Sequence, residues 1–143
     1  MVKYIVLFFC LSLLGLCSAN AKDTETTCVM YGESDFTVEK YTFTPEEKFF
    51  AVIDLTEIPP GEYLITIDWQ NPTGQIARQS SHSLLLEDPK DHFRLYSWLK
   101  LWKNGFLTRS FTGREFNDNY FGEWHLAVYV NGQLVVRQQF QVT

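Results

Sequence analysis

Basic charge is what this sequence lacks most: 12 Lys and Arg stand against 17 Asp and Glu, for a formal net charge of −5. Phosphate backbones demand a basic excess, so nucleic acid is not an expected partner. Cysteine is also scarce, with only Cys10, Cys17 and Cys28 in 143 residues, and no Cys-x-x-Cys or His-x-x-x-His spacing occurs. No zinc site is signalled, because tetrahedral sites need ligands at such intervals. The histidines His82, His92 and His125 are scattered. Ser80-Ser81-His82 sets hydroxyls beside an imidazole, but sequence neighbours on a strand point apart, and no Gly-x-Ser-x-Gly turn exposes a serine. The carboxylates Glu87, Asp88, Asp91, Glu115 and Asp118 fit no calcium-loop spacing, and no glycine-rich phosphate cradle is present. The expectation is a non-enzymatic protein with no catalytic residue, no metal and no cofactor.

Long apolar runs are few. The one at the start, Tyr4 to Leu14 after Lys3, falls short of the roughly 20 residues that cross a bilayer. It is followed by Ser18-Ala19-Asn20-Ala21, which places small residues at −3 and −1 of a cut after Ala21. That is the pattern of a secretory signal peptide. Leu14-Gly15-Leu16-Cys17 has the outline of a lipoprotein processing site, but the residue before that cysteine should be small and Leu16 is not. The expected organisation is a signal peptide over 1–21, a polar leader over 22–34 and one domain over 35–143. The mature chain is expected in the periplasm or outside the cell, with no transmembrane span. Cleavage removes Cys10 and Cys17, so no disulfide forms within the mature chain and Cys28 stands alone. Cys28 reads as a small apolar residue near the new N-terminus, with a cysteine that pairs to a partner, or a nucleophile helped by a histidine, as the functional alternatives.

Hydrophobic period decides the fold class. Phe49, Ala51, Ile53 and Leu55 form one apolar face of a strand that stops at Pro59-Pro60-Gly61. Tyr63, Ile65, Ile67 and Trp69 alternate with polar neighbours, Asn71-Pro72-Thr73-Gly74 breaks the run, and 75–78 returns as the second arm of a hairpin. The stretch 79–91 reads as a long polar loop around Leu84-Leu85-Leu86. Phe93 to Trp102 is the longest aromatic strand, and Asn104-Gly105 is expected to turn it into a further strand, Phe106 to Phe111. A polar loop over 112–119 then leads into a final hairpin. About seven short strands without an amphipathic helix predict an all-β, antiparallel sandwich.

The final hairpin permits a register argument. A two-residue Asn131-Gly132 turn puts Val128 opposite Val135 and Leu126 opposite Arg137, which buries an arginine beside Trp124. A type I turn at Val130-Asn131 with Gly132 in a bulge instead faces Val128 with Leu134 and Leu126 with Val136. The second register is expected, because it keeps Arg137 in water and turns Trp124, Leu126, Val128, Leu134, Val136, Phe140 and Val142 inward.

Gly61-Glu62-Tyr63 and Gly122-Glu123-Trp124, each opening an alternating strand, and the closing Phe140-Gln141-Val142 carry a resemblance. The stretch 61–142 resembles bacterial immunoglobulin-like sandwich domains of exported proteins. The resemblance implies a secreted or envelope-associated binding module and carries over no catalytic residue. The chain departs from disulfide-bridged members in having no cysteine pair between its sheets.

The candidate site lies on the aromatic strand. Alternation puts Arg94, Tyr96, Trp98, Lys100 and Trp102 on one face and Phe93, Leu95, Ser97, Leu99 and Leu101 on the other. The aliphatic face suits a core. The rings Tyr96, Trp98 and Trp102, flanked by cations, are candidates for an outer surface that anchors a protein or stacks on sugars. The competing reading has the same rings packed against a neighbouring strand, the long loop or the N-terminal segment. The expected function is protein–protein interaction or assembly with an envelope or secreted partner. The alternatives are a carbohydrate-binding module, with a glycan as partner, and an inhibitor of secreted proteases presenting loops 71–75 or 112–119.

Overall fold

The computed structural model describes residues 25–143. The signal peptide expected over 1–21, with Cys10 and Cys17, lies outside the described residues. In chain order the elements are β1 (Thr26–Tyr31), β2 (Thr42–Phe43), β3 (Lys48–Ile58), β4 (Gly61–Gln70), β5 (Ile76–Leu86) and β6 (Lys90–Lys100). A short helix α1 (Phe106–Thr112) and a 3-10 turn (Asp118–Tyr120) precede β7 (Gly122–Val130) and β8 (Gln133–Val142). The strands form two sheets, β1-β3-β6 and β2-β8-β7-β4-β5. The chain crosses between the sheets after each of β1, β2, β3, β5 and β6, and stays within one sheet only at the β4–β5 and β7–β8 hairpins. Every strand pair is antiparallel except β2 with β8. This is the expected immunoglobulin-like sandwich: the first, third and sixth strands make one layer, and the other is built around the fourth, seventh and eighth.

The core between the layers is aromatic at its centre. Phe43, Phe49, Trp69, Trp124 and Phe140 are buried, with Met30, Ile53, Ile65, Ile67, Leu126 and Val128 around them. Burial of this kind contributes about 25 cal/mol for each Å² of apolar surface removed from water, which is how a sandwich without a disulfide holds together. Cys28 faces this core from β1 and is opposite Ile53. Burial pushes its thiol up to about 12, so it stays protonated and packs as an apolar group.

Four expectations are corrected. Residues 26–31, assigned to a polar leader, are strand β1, in which Cys28 and Met30 alternate with less buried neighbours and bury one face. The stretch 79–86, assigned to a loop, continues β5 as far as Leu86, and only Glu87-Asp88-Pro89 separate it from β6. Phe106 to Phe111 is helical rather than a strand. Gly105 starts it in an extended conformation, Gly113 ends it at φ 68°, and the Ser110 and Thr112 hydroxyls donate to the carbonyls of Phe106 and Thr108.

The final hairpin follows neither expected register. Val130 pairs with Gln133 across a two-residue Asn131-Gly132 turn, with φ of 50° and 80°. Those angles suit the twist of a tight hairpin. A bulge at Val135 then shifts the ladder, so that Val128 meets Val136 and Ala127 meets Arg137. The bulge keeps Arg137 exposed, as the hydrophobic pattern required, while Leu134 is left on the surface instead of inside.

Candidate functional site

The site grows from the way the two sheets end on one side. β5 is the last strand of its sheet and β6 the last of the other, so both present an unpaired edge to the same open flank of the sandwich. On β5, the inward face carries Arg78, which is directly opposite Trp69. With no further strand to cover it, Arg78 reaches across the opening to β6. Its guanidinium donates to the Trp98 carbonyl at 2.7 Å and sits 4.3 Å from the centre of the Trp98 ring. Lys48 Nζ lies 3.8 Å from the same ring centre. Inward-pointing charge is a recognised way to guard a sheet edge, and here it occupies the β6 edge at Trp98.

A groove of about 550 Å³ runs along this flank, lined by Ala77 and Arg78 from β5 and by Trp98 to Trp102 from β6 and its extension, with Tyr120 at one end. The Tyr120 carbonyl accepts from the Trp124 indole at 2.6 Å, which fixes that end to the core. Trp98 is 43% exposed and Trp102 is 83% exposed, and Leu99 and Leu101 between them are buried. The lining holds two cations, Arg78 and Lys100, and no carboxylate.

Of the five predicted site residues, the groove therefore brings together Trp98, Lys100 and Trp102. Tyr96 and Arg94 lie elsewhere. Tyr96 is on the outer face of the three-stranded sheet, stacked on Phe36 from the β1–β2 connection with ring centres 5.0 Å apart. Phe36 also meets Tyr31 and Phe50 edge-on, so this face carries its own aromatic lid. Arg94 is tied to Asp54 by two hydrogen bonds of 2.7 and 3.0 Å. Sequence reasoning missed Arg78 and Phe36. Arg78 lay in a stretch read as a short hairpin arm and Phe36 just past the expected leader, where no strand was expected, and neither has a local signature.

The polar groups considered for chemistry are spread over the molecule. His92 Nε2 is 2.8 Å from Asp54 on one sheet, and His125 Nε2 is 3.2 Å from Glu123 on the other. His82 is exposed on β5 opposite Ile65. Among the described residues no group of three or more His, Cys, Asp or Glu side chains could hold a metal ion, and no helix is long and apolar enough to cross a membrane.

No protein-family model matches the chain, and no curated protein matches it. Among solved structures it is similar to the alkylpurine DNA glycosylase AlkC of Pseudomonas fluorescens bound to DNA containing an abasic site analog, at 16% identity and a TM-score of 0.47. That likeness covers 85% of this chain and 31% of the glycosylase, so the chain spans about a third of that protein's length. It is also similar to an immunoglobulin-like protein of Pseudomonas aeruginosa, at 15% identity and a TM-score of 0.45, covering 85% of this chain and 94% of that one. The architecture assigned above rests on strand order and register.

Proposed function

We propose that this protein is an exported, non-enzymatic binding module that receives an extended segment of a partner protein along the open flank between β5 and β6. The observation that carries this reading is the groove itself, where an unpaired strand edge, two exposed indoles and two cations converge. An added strand gains affinity from main-chain hydrogen bonds and specificity from side-chain pockets. Trp102, 83% exposed, offers large, rigid contact area at low entropic cost, and Lys100 favours a segment carrying carboxylates. The signal-like first 21 residues support export, and an envelope or secreted protein is the partner class that follows.

Sugar stacking is the weaker reading, because the Trp98 ring is already engaged by Lys48 and Arg78. The test is selection from a displayed library of extended peptides, followed by measurement of the selected sequences on the Trp102→Ala and Lys100→Ala variants. The expected result is enrichment of acidic peptides whose affinity falls about tenfold or more on Trp102→Ala with an unchanged melting temperature. Peptides that bind the variants equally well would sink the proposal. Glycan-array binding lost on Trp102→Ala would replace it with the carbohydrate reading.

A further inference from the structure

The chain between Leu101 and Phe116 leaves the sandwich and returns to it. Both of those residues are buried in the core, whereas every residue from Gly105 to Glu115 is exposed. The neck is clasped by Asn104, whose backbone N–H donates to the Glu115 carbonyl at 2.8 Å and whose amide donates to the Arg114 carbonyl at 3.1 Å. An ion pair between Lys103 and Glu115 reinforces it. Beyond this neck stands α1, with no buried residue at all.

The tip is nonetheless apolar. Phe106, Leu107 and Phe111 are between 69% and 87% exposed, and Trp102 flanks them at the neck. At 100° per residue the first three fall within about 140° of the helix circumference, with Thr108, Arg109 and Thr112 on the other side. Isolated exposed hydrophobics are ordinary, but a cluster of this size on one short excursion marks a surface that is covered in use. Nothing in the sandwich covers it.

Charge indicates what does. From His92 to Arg114 the sequence has five Lys or Arg residues and no carboxylate, in a chain whose net charge is −5. Glu115 and Asp118 pair with Lys103 and Arg114. Lys100 and Arg109 are outside those two pairs, and the Arg109 charge adds to that of Lys103 in outweighing the single carboxylate of Glu115. The apolar tip is convex, so a protein partner would need a matching pocket, whereas a fluid lipid interface closes around any convex shape. Aromatic residues favour the headgroup boundary, and cations behind them are drawn to anionic headgroups.

We propose that the 102–114 excursion docks the protein on an anionic lipid bilayer, with Phe106, Leu107 and Phe111 entering the acyl boundary and Lys100 and Arg109 facing the headgroups. The β5–β6 groove then lies close to the membrane surface, but the inference does not depend on what the groove binds. Sedimentation with vesicles tests it, using vesicles of mixed phosphatidylglycerol and phosphatidylcholine against vesicles of phosphatidylcholine alone. The expected result is binding to the mixed vesicles only, weakened by salt and by Arg109→Glu, and reduced about tenfold or more by the Phe106→Ser, Phe111→Ser double variant. Because α1 buries no side chain, that variant should keep the wild-type melting temperature and the wild-type affinity for groove peptides. Absence of binding to the mixed vesicles, or binding that the double variant retains, overturns the proposal. So does self-association that the double variant abolishes without any vesicle binding, which would make the tip a contact between copies of this chain.

Discussion

The indole N–H of Trp69 donates to the hydroxyl of Ser97 at 2.9 Å, and both side chains are buried. Trp69 belongs to β4 and Ser97 to β6, so this bond joins the two sheets. In disulfide-bridged immunoglobulin domains a buried tryptophan packs on the bond between the layers. Here Phe49 and Trp124 face one another between the layers, 6.4 Å apart, and the polar tie is supplied by Ser97. Replacing Ser97 by Ala leaves the indole N–H buried without that partner, which costs about 1–3 kcal/mol. Urea unfolding of Ser97→Ala, Trp69→Phe and the double variant measures the coupling. A double variant no worse than Trp69→Phe is the expected outcome, and strict additivity would show that the bond contributes nothing.

Phe140 is the hub of the core. Its ring meets Phe43, Phe49, Trp69 and Trp124 at centroid distances of 5.7, 5.6, 5.8 and 6.0 Å. Those four rings come from four different strands, so a cavity at 140 loosens both sheets together. Phe140→Ala should destabilise by about 3–5 kcal/mol, a large part of the stability of a small domain. Loss of the near-ultraviolet dichroism well below the wild-type melting temperature is the simplest check.

Where a strand buried an alternating face, the sequence read correctly: Phe49 to Leu55, Tyr63 to Trp69 and Leu95 to Leu101 all turn the expected residues inward. Most of β5 escaped because its inward face is polar at Arg78, Ser80 and His82, residues tolerated where the sandwich is open, and turns apolar only at Leu84 and Leu86 near its end. Without the neighbouring sheet in view, such a strand has no apolar period and looks like a loop. β1 did carry a signal in Cys28 and Met30, but two buried residues among threonines are easily outweighed by polar surroundings. Helix α1 could not be read from period, since seven residues with no buried face give none. The candidate site was half legible for the same reason. Alternation put Trp98, Lys100 and Trp102 on a common side, but Arg78 reaches them only through the fold. Phe36 likewise arrives over Tyr96 only after the β1–β2 connection has closed.

Asn131 holds the β7–β8 turn in two ways. It adopts a φ of 50°, which asparagine tolerates better than most residues. Its side-chain oxygen also accepts from the Leu64 N–H at 2.8 Å, and its backbone N–H donates to the Leu64 carbonyl at 2.9 Å. The turn is thereby stitched to β4 in the next hairpin. Asn131→Ala should cost about 1–2 kcal/mol, combining backbone strain with the lost side-chain bond. Asn131→Gly relieves the strain and loses only the bond, so its cost should be clearly smaller. Equal losses in chemical denaturation would mean that backbone conformation plays no part.

Asp54 gives the domain a defined acid sensitivity. Hydrogen bonds from Arg94, its nearby charge and the contact with His92 hold the Asp54 carboxyl below its ordinary value of 3.8, outweighing the partial burial that pushes it up. A carboxyl that is more acidic in the folded state contributes stability that is complete above its unfolded pKa. That contribution disappears as pH falls through the depressed folded value. Asp54→Asn cannot ionise, so wild type should exceed the variant at neutral pH and the two should converge in strong acid. Because Arg94 and His92 are about half exposed, added salt should narrow the neutral gap as well. Unfolding free energies measured against pH for both proteins decide the matter: a gap that stays constant into strong acid would show that the Asn side chain, rather than the lost charge, causes the difference.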